Sequence, residues 1–483
     1  MSNKFGKDLT TGSISKHLIT FSLPMLLGNV LQTGYGIVNT IWVGNKVGSD
    51  AVAATAVSFP IVFILIALAA GATLATTILV SQYYGARDYE MVEKVINNSF
   101  TVSIIGGLLL TVAGILSSDW LLRLMGTPEA VFEMATSYLK ITLAGFVLLF
   151  MTFLISSILR GIGDTVTPLI FMGIGLVINA ILDPLMIIGI GPFPKLGLDG
   201  AAYASLIAQA IGLILSLVYL NKKNHIVAIK FNKLSLDKHL SFLLLKLGFP
   251  SMIQQSLISI GAFVVTGFVN SFGEVATAAF GSAQRIENLA FMPAMSLSMA
   301  VSALTGQNLG AGKPERVKEI FRAGIIVTTI ITITLSSIII AFPKVMLSMF
   351  VQEPEVLEIG VHYLRIVGVS YIFFAIMFIS NGIINGSGHT VTTMVMSLVT
   401  LWLVRVPIAA LLSHTALKTD GIWLGIAISS LASMTISLIY YSTGRWKKQV
   451  IKRPGFRPEA LGEKEPGGND AVEFLPVIPE EQN

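Results

Sequence analysis

Asp183 lies in the apolar run LVINAILDPLMI, residues 176–187, with Asn179 four positions before it and Pro184 directly after. At that spacing Asn179 shares a helical face with Asp183, so its amide can hydrogen-bond the carboxylate or offer an oxygen to a cation. Pro184 has no N–H and clashes with the carbonyl of residue 180, which leaves that oxygen free at a kink. Carboxylate, amide and freed carbonyl then converge on one patch. Such a set can load and release a proton, or ligate Na⁺ through its oxygens.

A second polar set is Asn29, Gln32, Gly36 and Asn39, spaced i, i+3, i+7, i+10 along one helical face. The aligned residues in the second half of the chain are Gln255, Ile258, Ala262 and Val265, so most of the polarity is lost there. The counterpart of Asp183 is Ile408 by offset, or Val406 if the prolines are matched. The ionisable centre is therefore expected in the amino-terminal half alone. Packing requirements would recur in both copies, and this asymmetry favours an ion or proton site over a structural role.

Other patterns carry less. NLGAGKP, residues 308–314, has Gln307 and Pro314 where a phosphate-binding loop needs Gly and Ser or Thr, and so reads as a turn between helices. GIGD, residues 161–164, resembles half of an intramembrane aspartyl protease, but the duplicate of Asp164 is His389 and no paired carboxylate is present. The six His show no metal-ligand spacing, and no GxSxG occurs, so no enzyme is expected. Met292, Met295 and Met299 share a helical face, which could line an adaptable cavity but at this spacing reads first as packing. Arg285 and Glu287, two residues apart, do not share a face and are expected to anchor at the interface or pair with other helices. Arg405 lies deeper and reads as structural.

The elements that hold these residues are membrane spans. Hydrophobic residues make up 53% of the 483, charged residues 12%, and mean hydropathy is +0.77. Such a chain is polytopic. A bilayer core needs roughly 20 apolar residues per helix, and twelve such stretches occur, near 18–42, 52–84, 96–118, 136–159, 167–190, 200–220, 243–271, 276–307, 320–342, 359–384, 392–412 and 421–442. They are continuous rather than alternating, which argues against a β-barrel. The first sixteen residues are polar and the stretch after them lacks a small-residue cleavage site, so the first span is expected to be an uncleaved signal. With both termini cytoplasmic, 23 of the 32 Lys+Arg fall inside, as basic loop residues do. The net charge of +5 reflects this bias and not nucleic-acid binding. Zero Cys removes disulfides and thiolate ligands.

The second half repeats the first at an offset of about 225 residues. FSLPMLLGNVLQ (21–32) matches LGFPSMIQQSLI (247–258), SQYYGARDYEMVEK (81–94) matches TGQNLGAGKPERVK (305–318), and RGIGDTVTP (160–168) matches NGSGHTVTT (385–393). TPEAVFEMATSYLK (127–140) runs parallel to EPEVLEIGVHYLR (353–365) with one gap. Six spans per half give both copies the same orientation, a common transporter plan with the substrate site between the bundles. The expected fold is an all-α polytopic membrane protein of twelve transmembrane helices in two pseudo-symmetric six-helix bundles: lobes 1–221 and 243–445, a cytoplasmic linker 222–242, and a disordered cytoplasmic tail 446–483.

FSLPMLLGN with YGIVNTIWVG, VSQYYGARD, ILRGIGDTVTP, NAILDP and SAQRIENLAFMPAMSLSMAVSALTGQNLGAGKPE, at these spacings, resemble the multidrug and toxic compound extrusion (MATE) family over roughly residues 10–445. The resemblance implies an antiporter of the plasma (inner) membrane, expelling amphipathic, often cationic small molecules in exchange for inward H⁺ or Na⁺. It implies no cofactor beyond that ion, no partner but substrate and lipid, and a monomer. It maps an ion site onto Asp183, Asn179 and Asn39, with Ser205 in GAAYAS, and a bending proline onto Pro24, with Pro184 as a second hinge. A substrate cavity would take Gln32, Asn29, Gln255 and Met292. Asn39 stands where the family usually has Asp, His389 replaces an Asp, and the seventh span has no Glu. A lipid-linked precursor flippase of the wider superfamily would share the duplication, but would need more basic residues inside the spans than Arg285 and Arg405.

Overall fold

The computed structural model describes residues 6–222, 227–228 and 234–448, and among them every regular element is a helix. The tail beyond 448 and part of the linker lie outside the described residues. In hydrocarbon no water satisfies backbone N–H and C=O groups, so apolar runs of this length close their hydrogen bonds internally. The amino-terminal half contains α1 (Ile14–Lys46), α2 (Ser49–Gly85), α3 (Tyr89–Leu124), α4 (Glu129–Ala144), α5 (Phe146–Gly161), α6 (Val166–Ile188) and α7 (Gly197–Lys222). The other half contains α8 (Lys238–Asn270), α9 (Glu274–Gly310), α10 (Pro314–Ala341), the short α11 (Pro343–Leu347), α12 (Pro354–Gly386), α13 (Thr390–Ser397), α14 (Val406–Ser413) and α15 (Lys418–Ser442). A π-helical segment, Leu398–Arg405, joins α13 to α14.

Eleven of the described spans are each long and apolar enough to cross a membrane; α4 and α5, bent by 43° at a break, together make the twelfth. The break falls at Gly145, and the fourth span begins earlier than apolarity alone predicts because Glu129 opens it. Glycine is a usual site of such a kink. The NLGAGKP stretch is a turn: α9 ends at Gly310 and Pro314 starts α10. Asp164 caps the start of α6, accepting the Val166 and Thr167 N–H groups at 3.0 Å each and the Thr167 hydroxyl at 2.6 Å. Its duplicate turn holds His389, and the glycines before the two residues, Gly163 and Gly388, have φ of +89° and +91°, a region that side chains resist.

The two lobes share one core at one end and keep separate cores away from it. Leu9, Ile14, Leu18 and Phe21 of the amino-terminal segment and α1 share a core with Leu297, Val301, Leu304, Ile320 and Ile383 of the second half. Reciprocally, the start of α8 packs on α2, where a Cβ on Gly71 would collide with the backbone of Ser251 and Met252. Away from this end each lobe has its own core, one around Val43, Leu139 and Ile187 and the other around Phe280, Tyr363 and Trp423. The hydrogen bond from Asn29 on α1 to Ser296 on α9, at 3.4 Å, joins the lobes midway. Among the described residues no hydrogen bond links them farther toward the separated end.

The polar residues before α1 form a strap over the joined end. Lys7 N–H donates to the Ile162 carbonyl at 3.0 Å, while Leu9 N–H donates to Gln307 Oε1 at 3.0 Å. Lys313 Nζ and Arg316 Nη2 each reach strap carbonyls, of Thr10 and Gly12, at 3.0 Å. Burial pushes the Asp8 carboxyl up, but the hydroxyl and N–H of Thr10, together with Arg87 and Lys313, outweigh it and hold the group below its ordinary value.

Candidate functional site

The buried positions of α6 are Asn179, Asp183, Met186 and Ile187, which fall on one helical face. That face is turned into the amino-terminal lobe, and Asp183 is 0% exposed. Across from it, α1 brings Tyr35 and Asn39, one helical turn apart. The Tyr35 hydroxyl donates to Asp183 Oδ2 at 2.8 Å, and Asn39 Nδ2 donates to the same oxygen at 3.0 Å. Asn39 Nδ2 also donates to the Tyr35 hydroxyl at 3.1 Å, closing a triangle. Beside it, Asn179 Nδ2 donates to Ser205 Oγ on α7 at 3.0 Å, and Ser205 in turn interacts with the Tyr35 hydroxyl. Tyr138 on α4 stands within electrostatic reach of the carboxylate.

Two oxygens in this cluster are buried and unpartnered, Asp183 Oδ1 and Asn179 Oδ1. Buried acceptors are nearly always satisfied, so each exception asks for a reason. Both are hard oxygen donors from one helical face, the donor type that suits a proton or an alkali cation and not a soft metal. The donor set thus fits a small cation held by Asp183 and Asn179, with Asn39, Tyr35 and Ser205 fixing their orientation. Among the described residues no group of three or more His, Cys, Asp or Glu could hold a metal ion.

The expected ion-site residues Asp183, Asn179, Asn39 and Ser205 are therefore brought together on three helices. Tyr35 was not expected from the sequence, although it lies at i−4 from Asn39, on the side of α1 that faces Asp183. Of the other polar positions, Asn29 bridges the lobes through Ser296, Gln32 is exposed on α1, and Gln255 is half-buried on α8. The neighbour of Gln255, Gln254, makes the buried contact there, donating to Ser397 at 3.0 Å. Met292 is half-buried, while Met295 and Met299 are exposed. Pro24 and Pro184 sit inside α1 and α6, and both helices run through them unbroken.

One expectation is overturned. The second half does hold an ionisable cluster within its spans: half-buried Glu287 on α9 accepts a hydrogen bond from the hydroxyl of buried Tyr363 on α12, and the charge of half-buried Arg405 acts on both. Alignment against Asp183 missed it because the carboxylate comes from a different helix of the repeat. Arg285, two residues before Glu287, instead lies over the Phe350 ring at 5.7 Å, so the two charges do point apart.

Known proteins agree with this architecture. The MatE family model matches residues 24–185 and again 250–411, one match in each half. The chain is 36% identical over 447 residues to the probable multidrug resistance protein YoeA of Bacillus subtilis, covering 91% of this chain and 96% of that one. It is 35% identical over 445 residues to the probable multidrug resistance protein YpnP of the same organism, covering 92% and 98%. A solved structure described as a MOP superfamily transporter from Pyrococcus furiosus superposes with a TM-score of 0.85 at 26% identity, covering 92% of this chain and 100% of that one. The chain is a multi-span integral membrane protein, and with both halves matched it belongs to the multidrug and toxic compound extrusion family, MatE.

Proposed function

We propose that this chain is a secondary active multidrug efflux antiporter that exports amphipathic or cationic compounds in exchange for inward H⁺ or Na⁺. The observation that carries the reading is the pair of orphaned oxygens on Asp183 and Asn179, buried in one lobe of a duplicated scaffold. A carboxylate there has a cost of about 2.5–3.5 kcal/mol on insertion scales. A cation that arrives and leaves offsets that cost in one half of the cycle. The multidrug resistance relatives support the substrate class.

With both termini in the cytoplasm, as the loop charges favour, the joined end faces inward and the separated end outward. Inward ion flow then loads Asp183 from the separated side. Loading removes one negative charge, or pairs it, and changes how Tyr35 and Asn39 of α1 are held against α6. Pro24 and Pro184 are the points at which those helices bend as the lobes exchange their closed ends. One elementary charge moving down 100 mV releases about 2.3 kcal/mol, and at about 1.4 kcal/mol per tenfold this sustains a gradient on the order of 50-fold. A single coupled ion suffices for useful export.

The test uses proteoliposomes preloaded with a lipophilic cationic dye, with pH and Na⁺ gradients imposed separately. Dye movement against its own gradient under one of them supports the antiporter. Dye flux that only runs downhill, with no exchange, identifies a channel and refutes it.

A further inference from the structure

The strap before α1 is divided between the two lobes along its length. Gly6, Lys7 and Asp8 lie against the first lobe. Lys7 N–H donates to the Ile162 carbonyl at 3.0 Å, and the fit is close, since a Cβ on Gly163 would collide with the Lys7 backbone. Asp8 meets Arg87 at 3.9 Å, with the two side chains 47% and 75% exposed. Leu9, Thr10 and Gly12 are held by the second lobe instead. Leu9 N–H donates to Gln307 Oε1 at 3.0 Å and its carbonyl accepts from Asn308 Nδ2 at 3.2 Å, while Lys313 Nζ and Arg316 Nη2 donate to the carbonyls of Thr10 and Gly12. The boundary falls between Asp8 and Leu9. Asp8 is also folded back along the strap, accepting the Thr10 N–H at 2.9 Å and hydroxyl at 2.6 Å, and the charge of Lys313 acts on it.

The two attachments differ in strength. An ion pair between exposed side chains contributes little, so the Lys7 bond to Ile162 is the main polar tie to the first lobe among the described residues. The second lobe supplies two charged donors, and hydrogen bonds from charged groups are roughly twice as strong as neutral ones. Leu9 adds its side chain, 1% exposed in a core with Leu304, Val317 and Ile383. Ile14, Leu18 and Phe21 continue in that core, so the chain from Leu9 into α1 stays with the second lobe. Gln307 connects the strap to the contact between the lobes: its Nε2 donates to the Gly161 carbonyl of the first lobe at 3.0 Å, while its Oε1 is occupied by the Leu9 N–H. Its counterpart in the repeat, Gln82, has a buried Oε1 with no partner.

We propose that the strap is a clasp that releases on one side only. Each time the joined end opens, residues 6–8 leave the first lobe, while residues 9–12 stay on the second and keep the Gln307 amide aimed for reclosure. The inference rests on the exchange of closed ends proposed above. Opening parts Gln307 from Gly161, but the bond from Leu9 lies within the second lobe and does not have to break. A strap tied to both lobes throughout the cycle would hold this end shut.

Two measurements test the clasp. In the unmodified chain in lipid nanodiscs, residue-resolved hydrogen exchange, corrected for intrinsic rates, compares the amides of Lys7 and Leu9. Lys7 is expected to exchange at least about tenfold faster, because its bond opens with the joined end while Leu9 keeps its acceptor. Equal rates, or a faster Leu9, overturn the proposal. The second measurement joins cysteine pairs with a short, reductant-cleavable bifunctional thiol reagent, since the chain has no Cys of its own. Linking Asp8→Cys to Arg87→Cys fixes the strap to the first lobe and is expected to cut gradient-driven dye efflux at least about tenfold, with recovery on reduction. Linking Thr10→Cys to Lys313→Cys fixes it to the second lobe and should leave efflux within about twofold of the same protein before linking. Efflux that survives complete linking to the first lobe overturns the clasp, as does equal arrest by both links. If the unmodified chain moves no dye uphill under any gradient, the antiporter reading fails; the exchange contrast between Lys7 and Leu9 still decides the clasp, and it does so too if a cysteine pair does not fold.

Discussion

Gln82 and Gln307 stand 225 residues apart and make the same bond in opposite directions. Gln82 Nε2 of the first lobe donates to the Gly386 carbonyl of the second at 3.1 Å, and Gln307 Nε2 of the second donates to the Gly161 carbonyl of the first at 3.0 Å. Gly161 and Gly386 are also 225 apart. The two lobes are therefore latched at the joined end by a reciprocal pair, and the strap adds a donor to Gln307 alone, from Leu9.

Replacing both latch residues, Gln82→Leu with Gln307→Leu, leaves two buried carbonyls and the Leu9 N–H unpaired, at about 1–3 kcal/mol each. The joined end should open more often. Because the chain has no native Cys, a Thr305→Cys probe, at a position 0% exposed, reports this alone. Its labelling is expected to rise at least about tenfold, at about 1.4 kcal/mol per decade. Labelling no faster than in the Thr305→Cys protein that keeps both glutamines would assign the closure to packing instead.

Gly310→Ala should loosen the joined end by a different route, steric instead of through lost hydrogen bonds. A Cβ there meets the Gln82 carbonyl, and its partner Gly85 meets Gln307 in the same way. The backbones cannot separate without losing the close approach, so efflux should fall well below half while membrane insertion, measured by quantity in the membrane fraction, is unchanged. Normal efflux from this variant would mean the lobes do not need this contact.

Tyr35→Phe removes one donor to Asp183 Oδ2 and leaves the Asn39 bond in place. A hydrogen bond to a charged group contributes about 1.5–3 kcal/mol, so gradient-driven efflux is expected to slow by about tenfold or more, at about 1.4 kcal/mol per decade. An unchanged rate across pH and Na⁺ would remove Tyr35 from the site.

Asn39→Asp would place a second carboxylate where the Asn39 amide now lies 3.0 Å from Asp183. Two carboxylates that close cannot both stay ionised without a shared proton or cation, and they titrate as a coupled pair. The pH and Na⁺ dependence of efflux should both change. Identical profiles in the two proteins would show that Asn39 has no part in ion handling.

The strap carries its own pH signature. The Asp8 carboxyl is held below its ordinary value by Thr10, Arg87 and Lys313 against the effect of burial. A depressed folded value means that the stabilisation is fully present above the unfolded value, about 3.9, and is lost as pH falls through the lower folded one. Hydrogen exchange at residues 6–12 should be protected equally from neutral pH down to about 5 and lose protection only in stronger acid, about 4 and below. Asp8→Asn should remove that acid step.

Much of this was legible in the sequence because membranes simplify the grammar. Twelve apolar runs, a duplication and a carboxylate in hydrocarbon identify the bundle, the lobes and Asp183. Asn39 followed from its stripe on α1. Tyr35 did not, since a tyrosine in an apolar helix reads as bulk until its hydroxyl is seen to have a buried acceptor. Glu287 was hidden for two reasons: RIEN reads as an interfacial polar cluster, and the repeat relation points to α6 and its counterpart, not to α9. The strap was hidden by its polarity. Among its described residues Leu9, 1% exposed, is the one strongly apolar anchor in the shared core, and most of its remaining ties run through strap backbone groups that no side-chain pattern of the strap encodes.

The most direct measurement is dye accumulation by proteoliposomes carrying Asp183→Asn, beside the wild type, under imposed pH and Na⁺ gradients. The account predicts that the wild type concentrates dye under at least one gradient, and that Asp183→Asn, equally inserted and folded, concentrates none under either. Gradient-driven accumulation that survives in Asp183→Asn would contradict it.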